Sequence, residues 1–103
     1  MVEKSGTFTG ILEFDVLLGA VSSLKHKRAV IRPVLARLRR LEVAVCEAGD
    51  QDLHRRALIG VACVAGDPGH LQHLLATCER QVAGEVELEL LSARRRIIGP
   101  GDQ

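Results

Sequence analysis

Between Ser22 and Leu41 the chain carries seven cations, Lys25, Lys27, Arg28, Arg32, Arg37, Arg39 and Arg40, and no carboxylate. A block of one sign in so short a stretch is chemistry for an anionic partner, and nucleic acid is the first candidate. The net charge is only +1, so the other seven basic and thirteen acidic residues sum to −6. Charge is segregated along the chain rather than merely balanced.

Other residues with reactive side chains give weaker patterns. Glu47, Asp52 and Arg56 could form an ion-pair cluster that fixes a hairpin against the preceding helix. The alternative, a general acid–base pair, needs a pocket and perturbed pKa values that a sequence cannot display, so the structural cluster is expected. His70 and His73 stand at i, i+3, a spacing that could hold a metal, but no carboxylate or cysteine joins them locally and no metal site is expected. Ser23 lacks a G-x-S-x-G setting and reads as a helix cap. His26 and His54 have no catalytic context. Gly6 and Gly19 are too few for a phosphate-binding glycine loop. Cys46, Cys63 and Cys78 are odd in number with no C-x-x-C, which suggests reduced small hydrophobes in a cytoplasmic protein. The sequence therefore nominates no catalytic residue and no cofactor.

The elements that must position these groups follow from periodicity. With 47% hydrophobic and 26% charged residues the 103-residue chain reads as one folded domain, expected over 1–98 with a disordered tail over 99–103. The first six residues hold no apolar run, so no signal peptide is expected, and no stretch approaches the roughly 20 apolar residues of a membrane span. Phe8 to Leu18 alternates as a strand. Ser22 or Ser23 then caps a helix running to about Arg40. On that helix Leu24, Ile31, Val34, Leu35 and Leu38 form the apolar stripe. Lys25, Arg28, Arg32 and Arg39 fall roughly a quarter-turn away. Pro33 should kink the helix rather than end it. Val43 to Ala48 and Ala57 to Ala65 read as strands, the latter apolar on both parities and so central. Asp67-Pro68 opens a second helix that Gly84 stops. A fourth strand alternates Val86, Leu88 and Leu90 with Glu85, Glu87 and Glu89 and runs into Arg94 to Arg96.

The order β-α-β-β-α-β with two right-handed crossovers predicts an α+β ferredoxin-like sandwich, a four-stranded antiparallel sheet in order 4-1-3-2 with both helices on one face. This topology should bring Lys25, Lys27 and Arg28 to the end holding Glu47, Asp52, His54 and Arg56. It should gather Arg39, Arg40 and Arg94 to Arg96 at the other end. The open face should be acidic on one half, through Glu13, Asp15, Glu85, Glu87 and Glu89. It lacks aromatic residues on which bases could stack, which argues against base stacking across the sheet.

Two motifs resemble a known family. Ser23-Leu24-Lys25-His26-Lys27-Arg28, followed by Arg32 and Arg37-Leu38-Arg39, resembles the S-L-K-x-K-R segment of the YlxP-like proteins, bacterial proteins of unknown function. Val45-Cys46-Glu47-Ala48-Gly49 with Asp52-Leu53 and Arg56-Ala57 is similar to the family's V-A-E-V-G and D-x-W-x-R-A. His54 stands where tryptophan is usual and Arg55 where glutamine is common, and the turn near Leu41 is shorter. The resemblance implies a ferredoxin-like fold. Through genes that neighbour those for translation initiation and ribosome-binding factor A, it also implies a place in ribosome or RNA metabolism. Two expectations result. The first is an RNA- or ribosome-associated binding protein that contacts phosphates through Lys25, Lys27, Arg28, Arg32, Arg39 and Arg40. The rival is a homodimeric interaction module without nucleic-acid affinity, using either Leu58, Gly60, Ala62 and Val64 or Ile59, Val61 and Cys63.

Overall fold

The computed structural model describes residues 5–101. Its elements are β1 (Phe8–Leu18), α1 (Leu24–Arg39), β2 (Ala44–Gly49), β3 (Arg56–Ala65), α2 (Pro68–Ala83) and β4 (Leu88–Ile98). The sheet order is β2-β3-β1-β4 with every pairing antiparallel, the expected order read from the other edge. Gly99 and Pro100, which the sequence assigns to a disordered tail, are half-buried; the rest of that segment beyond Gly101 lies outside the described residues, as do Met1 to Lys4.

Local chemistry sets the helix ends. Ser23 Oγ accepts from the His26 amide at 3.0 Å and starts α1; Asp67 Oδ2 accepts from the His70 amide at 2.7 Å and starts α2, with Pro68 in its first turn. α1 continues through Pro33 to Arg39. It ends where Glu42 enters the left-handed region at φ 64°, and Asp50 does the same at φ 62° in the β2–β3 turn. Both turns therefore reverse on residues other than glycine.

The core lies between the helices and one sheet face. Leu12, Phe14, Val16 and Leu18 of β1 and Ala57, Ile59, Val61 and Cys63 of β3 meet Ile31, Val34 and Leu38 of α1 and Leu71, Leu75, Cys78 and Val82 of α2, all buried. The alternation of β1 and β3 puts their other parity on the uncovered face. α1 lies over the β2 side of the sheet, while α2 packs mainly on β1 and β4.

One expectation fails at β4. Glu85 to Glu87 form a turn before the strand, which begins only at Leu88. The pairing then shifts register between Asp15 and Val16, leaving Leu91 as an extra residue between Leu90 and Ser92. This bulge switches parity. Leu88 and Leu90 face the helices before it; Ala93 and Arg95 do so after it, so Ser92, Arg94 and Arg96 occupy the open face. The face is not acidic on that half: Arg94 Nη2 lies 2.8 Å from Glu13 and Arg56 Nη2 lies 2.7 Å from Asp15. The register sets Arg96, Ile11, Ala62 and Ala44 in one row, so Arg94 to Arg96 lie toward the end of the sheet where α1 finishes, on the edge strand opposite β2.

Candidate nucleic-acid interface

The seven cations of the Ser22–Leu41 block separate into two groups with different surroundings. Lys27 falls on the apolar stripe of α1 and is 2% exposed. Its Nζ donates to the Asp50 carbonyl at 2.6 Å and the Leu53 carbonyl at 2.7 Å, and it lies 3.1 Å from Glu47 Oε2. Two hydrogen bonds and a charge contact hold the ammonium within the chain and tie the first turn of α1 to the β2–β3 turn, while Glu47 Oε2 is buried beside its cation without a hydrogen bond. Arg37 is occupied as well. Its Nε donates to Glu85 Oε2 at 2.8 Å and its Nη2 to the other carboxylate oxygen, a bidentate pair. These bonds hold the Glu85 carboxyl below its ordinary range, helped by Gln81 and opposed by burial, and they raise the Arg37 guanidinium.

Lys25, Arg28 and Arg32 are exposed, and among the described residues none has an acidic partner. The same holds for Arg40 at the C-cap. Arg39 is exposed and reaches the Val45 carbonyl of β2 at 3.4 Å, a long bond that leaves most of its guanidinium free. This contact also orients the stripe: Lys25, Arg28, Arg32 and Arg39 line the side of α1 toward the sheet edge at β2, whereas Arg37 turns the other way, to Glu85. Lys25 to Arg39 spans about 21 Å at the rise of an α-helix. Four exposed cations over that length, with no acidic partner among the described residues, form a positively charged helix edge.

Two expected arrangements are corrected. Lys27, placed by the sequence among the phosphate-contacting residues, is buried and engaged internally. Glu47, Asp52 and Arg56 do not form one cluster: Glu47 meets Lys27, Arg56 forms a bidentate pair with Asp15, and Asp52 is exposed without a pairing cation among the described residues. The alternation of β3 explains part of this, since Glu47 pairs opposite Ile59 on the helix side while Arg56 emerges on the open side. Asp15 hydrogen-bonds Arg56 and pushes its guanidinium pKa up. The signal that could have separated Lys27 is its position at i+3 from Leu24 and i−4 from Ile31, squarely on the apolar face.

Fold and surface together define a ferredoxin-like α+β domain with a cationic helix edge. The chain belongs to the family described as "Protein of unknown function (DUF503)", which matches residues 9–95. A curated relative, the uncharacterized protein YlxP of Bacillus subtilis (strain 168), is 35% identical over 57 residues, spanning 54% of this chain and 62% of that protein. Among solved structures, the cofactor-independent oxygenase SnoaB from Streptomyces nogalater is similar over 94% of this chain and 95% of its own, at 13% identity and a TM-score of 0.46.

Proposed function

We propose that this protein binds the phosphate backbone of RNA, with the ribosome as its target, through the exposed stripe of α1. The observation that carries the reading is the contrast in pairing. Arg37, Arg56, Arg94 and Arg95 each have a carboxylate partner, whereas Lys25, Arg28, Arg32 and Arg40 are left facing solvent. A merely solvated face would be expected to intersperse acids. The choice of RNA follows what the family resemblance implies about translation. Recognition is backbone-directed, because Phe14 is fully buried, Phe8 is half-buried, and the chain has no tryptophan or tyrosine for bases to stack on.

The test is co-sedimentation with ribosomal subunits at low and high salt. With four phosphate contacts, affinity should fall about a hundredfold between roughly 50 and 200 mM salt. Failure to pellet with either subunit at low salt would overturn the proposal.

A further inference from the structure

The helices cover one face of the sheet, and the other face has a small, apolar centre. Ile11, Ala44, Cys46, Ala48, Gly60 and Ala62 line a shallow depression of about 320 Å³ across β1, β3 and β2. Gly60 helps to make it: a Cβ there would sit 3.1 Å from Cys46 Sγ. Val64, on the same face, is 65% exposed. Around this centre stand three acids, Glu13, Asp15 and Glu89, and three bases, Arg56, Arg94 and Arg96, four of the six locked in the two pairs already described.

We propose that this open sheet face is covered by a second copy of the chain, packed sheet against sheet. Charge selects the occupant. The face sums to zero, so neither a polyanion nor a strongly charged protein has anything to hold. Two copies that approach by their sheets avoid the repulsion that the cationic α1 edges would impose. Size permits it. Three strands of 10 or 11 residues and one of 6 give a face of about 600 Å² per copy at ordinary strand spacing, or about 1,200 Å² in total. That is the lower bound of specific, stable interfaces, so a dimer in the micromolar range is the expectation.

Sedimentation equilibrium of the full chain over about 1 to 500 µM should show the mass rising from 11.2 kDa toward twice that value. Cys46 gives a probe that needs no mutation. It is exposed on the face, whereas Cys63 and Cys78 are buried and burial pushes the Cys78 thiol up to about 11. Alkylation of Cys46 should slow by about tenfold across the same concentrations. Ala62→Glu puts a carboxylate in the depression and should shift the dimerisation midpoint upward by at least about tenfold, while Arg32→Glu on α1 leaves it unmoved. If Ala62→Glu does not fold, the wild-type Cys46 rates alone decide. A mass fixed at 11.2 kDa throughout overturns the proposal, as do Cys46 rates independent of concentration or a folded Ala62→Glu chain that dimerises like wild type.

Discussion

Replacing Lys27 by methionine keeps an unbranched stem in the core and removes only the ammonium, so it isolates the tie between α1 and the β2–β3 turn. The carbonyls of Asp50 and Leu53 would each lose a bond from a charged donor, worth about 1.5 to 3 kcal/mol apiece. Both residues are exposed, so water can re-engage their carbonyls and the lower figure applies, about 3 kcal/mol together. Relief of the desolvated ammonium is offset by the buried Glu47 Oε2, which loses its cation, so the net loss stays at about 3 kcal/mol. For a domain of this size that lowers Tm by about 12 °C. Urea unfolding followed by circular dichroism should show a lower midpoint with an unchanged slope. Because Lys27 faces inward, the folded variant should bind RNA as tightly as wild type. A stability change within about 0.5 kcal/mol would refute the structural role, and a drop in affinity equal to that of a stripe reversal would refute the inward placement.

Acid stability should report the Arg37–Glu85 pair. Glu85 has its folded pKa held below the ordinary 4.5, so its contribution is complete above that value and fades as pH falls through the lower folded value. Glu85→Gln should therefore destabilise the protein at neutral pH and flatten the loss of stability below about pH 4.5, read as midpoint against pH; an unchanged acid limb would contradict the pairing. Glu42→Gly should raise stability by about 0.5 kcal/mol, because glycine meets the left-handed φ of 64° without the Cβ penalty and gives back part of the gain in chain entropy. A lower unfolding midpoint for this variant would show that the Glu42 side chain matters more than its backbone.

The parts of the fold legible in the sequence are those set by local periodicity. Phe8 to Leu18 alternates so regularly that its bounds as β1 coincide with the expectation, and Asp67-Pro68 marks the start of α2 by capping chemistry alone. The start of β4 is not legible, because Glu85 to Glu89 alternate with apolar residues as a strand would, yet Glu85 is drawn into a turn by Arg37, 48 residues away in sequence. The bulge at Leu91 then reverses which side Arg94 to Arg96 present, and register of that kind is fixed by pairing with β1 rather than by neighbours. The cationic block is plain in the sequence, but its division is not. Lys27 and Arg28 are adjacent in sequence and about 100° apart around the helix, which sends one into the core and the other to solvent. The partner of Arg56 is hidden for the same reason as the start of β4: Asp15 comes beside it only through the β1–β3 register.

The most direct test of the phosphate-binding surface is the salt dependence of ribosome or RNA binding for the Lys25→Glu, Arg28→Glu, Arg32→Glu and Arg39→Glu chain beside wild type, with folding verified by its unfolding transition. These side chains lie outside the core, so the reversed protein should fold. Its affinity should collapse, and the slope of log K against log salt should shrink by about 0.7 to 0.9 for each phosphate no longer neutralised. A folded quadruple variant that binds as tightly as wild type, with the same slope, would contradict the assignment of this helix to RNA.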